Sequence, residues 1–428
     1  MTPAVRTSGS GRRRVAVVGS GVSGLTAAYV LQREYDVALY ETDSRLGGHA
    51  HTHDVVTPDS GAIPIDTGFI VHNTRTYPHL LRLFRELRVA TQPTEMSMSI
   101  HCDGCGLEYA GAKGLSGLFA QPRSLARPAY LRMLVEVKRF HRHARQVLAT
   151  GDDTVTLADF LADGGYSAYF VQHFMVPVVS CVWSMAPGHA LNYPARYLFA
   201  FLDNHGMLSV TGSPPWRTVV GGSRSYVEQV AKGITSVRLA TPVRSIRRTS
   251  DGVEIVDGDD VMESFDKVVI ATHADTALSL LADPTPAERE VLGAFRYSRN
   301  DTVLHTNVSL LPASDRARAA WNYRMPRCAA SASDVVVSYD MNRLQQLPTT
   351  TPYVVSLNAG DAVTGDTVVE RMTYDHPIYD LPAVAAQRRL PELADGRTAF
   401  AGSYHGWGFH EDGCRSGVEA AESLGVTW

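Results

Sequence analysis

Six residues near the start of the chain, Gly19-Ser20-Gly21-Val22-Ser23-Gly24, form a G-x-G-x-x-G fingerprint, and Glu41 follows Gly21 by 20 residues. This is a spacing for holding a dinucleotide. Gly19 permits a tight turn, Gly21 lets backbone N–H groups approach a pyrophosphate, and Gly24 lets a helix pack closely on its strand. The helix start at Val22 and Ser23 favours phosphate charge. Glu41, with Thr42 beside it, stands where an acid accepts a hydrogen bond from a ribose hydroxyl.

Three other places hold residues that do chemistry. Residues 404–411 read YHGWGFHE. His405, Trp407 and His410 are the candidate catalytic residues there, as cavity wall or as proton carriers. The reference pKa of histidine, near 6.5, suits general acid–base work by His410; structural packing is the alternative. His49, His51 and His53 alternate, so on a strand they share one face. Three imidazoles can bind a metal, but their place before Asp66 accounts for them without one, and no metal is expected. Cys102-Asp103-Gly104-Cys105 is a C-x-x-C in what reads as a hairpin turn. Zinc needs a second ligand pair, and none is evident, so free thiols are expected.

The elements that position these residues follow from apolar patterning. Residues 15–18 are a continuous apolar run, read as a buried parallel strand. A helix from about 22 to 33 and a second strand at 37–40 complete a βαβ unit. Residues 73–215 carry mostly helical spacing. From 218 to 272 the pattern returns to α/β, with Asp251-Gly252 as a hairpin turn. Residues 300–375 read as strands, and the chain ends in a strand and a helix. One α/β domain is thus left and re-entered around an inserted domain. The expected division is a tail at 1–13, nucleotide-domain segments at 14–72, 216–283 and 391–428, and substrate-domain segments at 73–215 and 284–390.

The chain has 428 residues, 44% hydrophobic and 20% charged, which excludes a disordered or collagen-like protein. Forty basic side chains against 44 acidic ones argue against a nucleic-acid binder. Five cysteines, an odd count, do not read as a disulfide framework. No apolar run reaches the roughly 20 residues that span a bilayer, and a cytoplasmic protein is expected. From Arg123 to Arg145 seven Arg and Lys stand against one acid, Glu136. The ordinary account is a solvated helix face; the other is contact with an anionic membrane at its inner face.

Arg45-Leu46-Gly47-Gly48-His49 and Ile65-Asp66-Thr67-Gly68, with Phe69 next, extend the fingerprint. Together these segments resemble the flavin amine-oxidase superfamily of monoamine oxidases, protoporphyrinogen oxidases and phytoene desaturases. Its pattern runs V-x-V-V-G-x-G-x-x-G-L, then E-x-x-x-R-x-G-G, then D-x-G. The resemblance implies FAD as cofactor, with NAD the minor alternative. It also implies an α/β fold: a Rossmann-type FAD-binding domain interleaved with an α+β substrate domain. By the same resemblance Arg45 faces the pyrophosphate, while Gly47, Gly48 and His49 line the flavin side. Val243 meets the adenine. Gly402, Ser403, Glu411, Asp412, Gly413 and Cys414 form the C-terminal flavin segment.

Residues 404–414 and the run FLDNHGMLSVTGSPPWRTVVGGSR further resemble a bacterial subfamily of FAD-dependent oxidoreductases. Its members often accompany cyclopropane-fatty-acid-synthase-like methyltransferases. The resemblance implies hydride transfer between flavin N5 and an apolar substrate, best an unsaturated or methyl-branched fatty-acyl chain in phospholipid. A methyltransferase is the implied protein partner. Amine oxidases of the superfamily place a lysine near the flavin. Here only Lys113, Lys138, Lys232 and Lys267 exist, and Lys113 alone is a loose candidate. An amine or amino-acid oxidase making peroxide is the first alternative. A redox-silent flavoprotein partner of the methyltransferase is the second.

Overall fold

The apolar run at residues 15–18 is a strand buried on both faces, in a computed structural model that describes residues 11–183, 187–209, 212–329 and 335–428. The strand, Arg14–Val18, lies at the middle of a five-stranded parallel sheet. Asp36–Tyr40 and Ser236–Arg238 lie on one side of it, Lys267–Ile270 and Thr398–Phe400 on the other. Alternation sends Val15, Val17, Leu39 and Val269 to a core shared with the first helix, Val22–Leu31, and the last, His410–Ser423. Ala16, Val18, Ala38 and Ile270 face the opposite core. There a three-stranded antiparallel sheet, Val243–Arg248, Val253–Asp257 and Met262–Phe265, covers them.

The second unit is a seven-stranded sheet ordered Val368–Ile378, Arg296–His305, Val354–Leu357, Val336–Asp340, Trp321–Met325, Met98–Cys102, Leu107–Ala110. Helices Pro128–Thr150, Val176–Trp183 and Ala195–Asn204 share its core. Phe170, Met175 and Tyr193 are fully buried in that core, and Trp183 is nearly so, which leaves these side chains packing one another. Partly exposed Phe174 packs at the margin.

The structure differs from the expected division at four points. Strands Met98–Cys102 and Leu107–Ala110 fall in the stretch read as helical. Helices Pro286–Leu292 and Leu381–Gln387 bury Val291, Leu292, Ala383 and Ala386 in the nucleotide-domain core. Burial, not the change of pattern at 284, decides where that domain ends. Of the expected tail, residues 1–10 lie outside the described residues. Arg13 already runs with the sheet, its carbonyl accepting from the Asp36 N–H at 2.9 Å. No helix among the described residues is long and apolar enough to cross a membrane. The basic helix buries Tyr130, Met133, Phe140 and Ala144 and leaves Val135 69% exposed.

His72, His205 and His305 are at most 5% exposed, and burial pushes each down to about 4. His305 Nε2 faces Ser356 Oγ at 2.8 Å, and its Nδ1 accepts from the Asn307 N–H at 3.1 Å. An unfolded chain protonates these imidazoles below about pH 6.5, whereas the folded chain does so only near 4. Their stabilisation is complete above pH 6.5 and falls as pH drops toward 4, by about 1.4 kcal/mol per pH unit for each. Asp66 and Asp412, pushed up to about 6 by burial, act oppositely between pH 6 and 4. Three histidines outweigh two acids. Thermal melts at constant ionic strength should show Tm falling steadily from pH 7 to pH 4.5. A flat or rising Tm over that range would contradict the burial of these neutral rings.

Candidate active site

The glycine turn takes its shape from contacts that exclude a side chain. Gly19 has φ +97°, and a Cβ there would lie 2.7 Å from the Ala271 carbonyl oxygen. A Cβ on Gly24 would lie 1.9 Å from the Gly19 oxygen, so helix and strand touch through backbone. At Gly21 nothing lies within 4 Å of that position. Gly21 is also the N-cap of the first helix, and no side chain caps it. The helix therefore presents uncapped N–H groups, with their partial positive charge, to an open space.

Around that space stand the other expected contacts. Glu41 accepts from the Ser20 N–H at 2.9 Å and from the Asp43 N–H at 3.0 Å. Exposed Thr42 sits between these acids, and Thr241 N–H donates to the Glu41 carbonyl at 2.8 Å. That bond draws the strand beginning at Val243 alongside. Gly47 and Gly48 have φ +111° and +55°, and Gly48 faces the Gly21 Cα. Arg45 follows Glu41 on the same loop, 3.9 Å from Asp43. The Phe69 N–H donates to the His49 carbonyl at 2.7 Å, and Gly68 leaves no room there for a Cβ.

The last helix brings a second N-terminus to the same place. A Cβ on Gly413 would lie 2.6 Å from Val22 Cγ1 and 3.8 Å from the backbone nitrogens of both Ser23 and Ser403. The Gly402 N–H donates to Ser416 Oγ at 3.0 Å. Asp412 accepts from the Phe409 N–H at 3.0 Å.

Three expected cofactor contacts are corrected. Asp66 is buried and fully engaged within the protein. It accepts from Thr52 Oγ1 at 2.6 Å, from the Ser223 N–H and hydroxyl at 2.9 and 2.7 Å, and from Gln345 Nε2 at 3.1 Å. It fixes the Gly221-Gly222 turn instead of meeting a ligand. Glu411 accepts from the N–H groups of His79 and Leu80, each at 3.0 Å, and pairs with His79 Nδ1 at 2.7 Å. It caps helix Pro78–Glu86. Cys414 is buried between the first and last helices, its sulfur 3.5 Å from Thr26 Oγ1.

The candidate catalytic residues fall in two places. His410 stacks on Phe69 at 3.7 Å and meets the Tyr226 hydroxyl at 3.2 Å. Enclosure, then His72, pushes its pKa down to about 3, too low for an effective base near neutrality. His405 and Trp407 instead border a cleft of about 450 Å³ with Tyr197, Gln387 and Arg415. His405 is likewise pushed down to about 3, and its Nε2 has no hydrogen-bond partner. The Trp407 carbonyl accepts from the Trp183 indole at 2.9 Å.

Sequence reasoning missed a wall of rings where the two sheets meet. His49 lies 4.9 Å from the Tyr374 ring and 5.4 Å from His376. Tyr374 hydrogen-bonds Thr67 at 2.7 Å and His51 at 3.0 Å, while His53 takes Thr67 at 3.2 Å. These bonds engage His51 and His53, whereas His49 Nε2 has no hydrogen-bond partner. His273 stacks on Tyr297 at 4.3 Å. Burial lowers His49 and His273, and brings His376 to about 4. Tyr374 and His376 come from the strand Val368–Ile378, far downstream of His49 and with no motif to mark them. All four lysines lie elsewhere. Lys113 donates to the Arg318 carbonyl at 2.5 Å, Lys267 to the Leu424 carbonyl at 2.7 Å and Lys232 to Gln229 at 3.2 Å; Lys138 is exposed.

An open glycine cradle, two converging helix N-termini and an acid at the second strand's end fit a flavin dinucleotide. They define a flavoprotein oxidoreductase. Residues 22–310 match the family described as flavin containing amine oxidoreductase, and the chain belongs to that family. It is an FAD-dependent oxidoreductase. No curated protein matches the chain. Among solved structures, cyclohexylamine oxidase from Brevibacterium oxydans IH-35A is 19% identical with TM-score 0.70, over 96% of this chain and 98% of that one. A CLA-producing fatty acid isomerase from P. acnes is 16% identical with TM-score 0.67, over 98% and 100%. Putrescine oxidase is 16% identical with TM-score 0.67, over 96% and 98%. At these identities the likeness is one of fold.

Two glycine variants separate cradle from scaffold. Gly21→Val, with φ −61° and open space, should fold normally but purify with little FAD. Gly24→Ala meets backbone and should lose about 3 kcal/mol or more of stability. Flavin absorbance per chain and thermal melts check both; full FAD retention by Gly21→Val would sink the assignment of the cradle.

Proposed function

We propose that the family's flavin chemistry acts here on an apolar chain, an unsaturated or methyl-branched fatty-acyl group, in preference to an amine. The observation that carries this is the wall of uncharged rings, His49, His273, Tyr297, Tyr374 and His376, beside the Gly47-Gly48 loop. Imidazoles lowered by burial and phenols raised by it are neutral near pH 7. Such a surface suits a substrate without charge. The placement of all four lysines outside this wall agrees with that choice.

FAD, when bound, supplies a two-electron centre at its N5. The chain's own residues do the rest. Gly19, Gly21 and the N–H groups at Val22 and Ser23 hold the pyrophosphate, and Glu41 holds the ribose. The N–H groups at the start of the last helix would supply positive partial charge to the bound flavin. The ring wall excludes water and orients the chain. An alkyl substrate offers no polar handle, so proximity and a dry surface carry most of the rate. The same fold serves a fatty acid isomerase, which makes an acyl chain a substrate it can house. Exposed Leu115, Leu125, Leu131 and Val135 stand among Arg123, Arg127, Arg132 and Lys138, a pattern suited to contact with anionic lipid from which such a chain is drawn.

Anaerobic visible spectra of the purified holoprotein distinguish the alternatives. Vesicles of unsaturated phosphatidylglycerol should bleach the flavin, while a panel of simple amines should not. Bleaching by an amine, with peroxide on re-aeration and no response to lipid, would replace this proposal with ordinary amine oxidation. A flavin that neither lipid, amine nor NAD(P)H reduces would overturn it in favour of a redox-silent role.

A further inference from the structure

We infer that the substrate domain carries a structural zinc ion held by Cys102, Cys105, Cys328 and His173. The four side chains come from three separate segments. Cys102 ends one strand of a hairpin, and Cys105 lies in its turn. His173 lies at the centre of a π-helical turn, Val171–Met175. Cys328 follows strand Trp321–Met325, which pairs in parallel with the first hairpin strand, Met325 opposite Cys102. The four ligand atoms all lie within 4.8 Å of one another.

Two of the spacings are those of a tetrahedral site. Zn–S near 2.3 Å and Zn–N near 2.0–2.1 Å imply about 3.8 Å between sulfurs and about 3.5 Å between sulfur and nitrogen. The Cys102 and Cys328 sulfurs are 3.8 Å apart, and Cys105 Sγ is 3.6 Å from His173 Nε2. All five cysteines are free, so no disulfide competes for these sulfurs.

The surroundings orient the ligands as a metal requires. His173 Nδ1 faces the Tyr169 carbonyl at 3.2 Å. A carbonyl only accepts, so Nδ1 carries the proton and Nε2 turns a lone pair toward the three sulfurs. Tyr169 stacks on the imidazole at 4.0 Å, and the Tyr109 hydroxyl donates to the His173 carbonyl at 2.7 Å. A π-turn inside a helix is common at functional positions, and here it delivers the fourth ligand. Gly104 is packed so that a Cβ would lie 2.8 Å from the Arg327 Cα. The Asp103 N–H donates to the Met325 carbonyl at 2.9 Å. The hairpin turn and the Cys328 segment are thus drawn together by backbone contacts independent of the sulfurs.

Four protein ligands close the coordination shell and leave no position for substrate, so the ion is structural. Binding displaces the thiol protons and gives a site of net charge −1. This inference is independent of the substrate proposal.

Elemental analysis of the full-length holoprotein, expressed with added zinc and purified without strong chelators, should give one zinc per chain alongside one FAD. Cys328→Ser and His173→Ala should each lower zinc content at least tenfold while FAD content stays near that of the parent. Cobalt added to chelator-stripped protein should give the visible bands of a tetrahedral thiolate site. Parent protein with no stoichiometric metal, or a Cys102–Cys328 disulfide by mass spectrometry, would overturn the inference. If the variants fail to fold, metal content and the cobalt spectrum of the parent chain still decide it.

Discussion

The contact between the first and last helices sets the geometry of everything around it. It is made without side chains on one partner: a Cβ on Gly417 would lie 2.3 Å from the Ser23 carbonyl oxygen, and one on Gly413 would meet Val22. Two helices this close must present their N-termini side by side. The Thr26–Cys414 contact closes a loop of 388 positions, so every element from the second strand to Thr398–Phe400 is folded between two helices fixed against each other. Strands Lys267–Ile270 and Thr398–Phe400 then have one place to go, on the free edge of the same parallel sheet. The entropic cost of closing so long a loop grows only slowly with its length, which lets an entire substrate domain be inserted without weakening the cradle.

Acidic residues divide the labour around this cradle in a consistent way. Asp66 accepts at the Ser223 turn, Glu411 at the start of helix Pro78–Glu86, and Asp412 at Phe409. Each uses its charge to satisfy backbone N–H groups that are withdrawn from water, as buried amides require. No such side chain caps Gly21. The charge of a dinucleotide meets free amides because neighbouring acids are already committed elsewhere. Burial raises Asp66 and Asp412 to about 6, and both carboxylates are taken up by protein donors.

Much of this cradle was legible in the sequence because its contacts are local. Gly19, Gly21 and Gly24 act within one turn, and their spacing alone describes the strand, turn and helix that form. The burial of residues 15–18 on both faces likewise follows from a continuous apolar run. Asp66 and Glu411 were misread because their position in a motif does not reveal their partners. Thr52, Ser223 and Gln345 come from three elements, and His79 lies 332 positions from Glu411. The wall of Tyr374 and His376 depends on the register of an 11-residue strand against Arg296–His305, which single-sequence periodicity does not fix. Helices Pro286–Leu292 and Leu381–Gln387 look alike in pattern wherever they dock; only the cavity they fill assigns them to the nucleotide domain.

The seven-stranded sheet is asymmetric for a physical reason. One edge strand, Val368–Ile378, meets the nucleotide domain through Tyr374 and His376, while Val369, Glu370, Arg371 and Thr373 stay exposed. The opposite edge is a short hairpin, Met98–Cys102 with Leu107–Ala110. A two-stranded hairpin is weak alone. It is secured instead by parallel pairing with Trp321–Met325 and by the Cys and His side chains that gather at its turn. A cross-link drawn from residues 102, 105, 173 and 328 ties hairpin, helix layer and sheet at one point. It does so at the edge of the sheet opposite the strand that carries Tyr374 and His376.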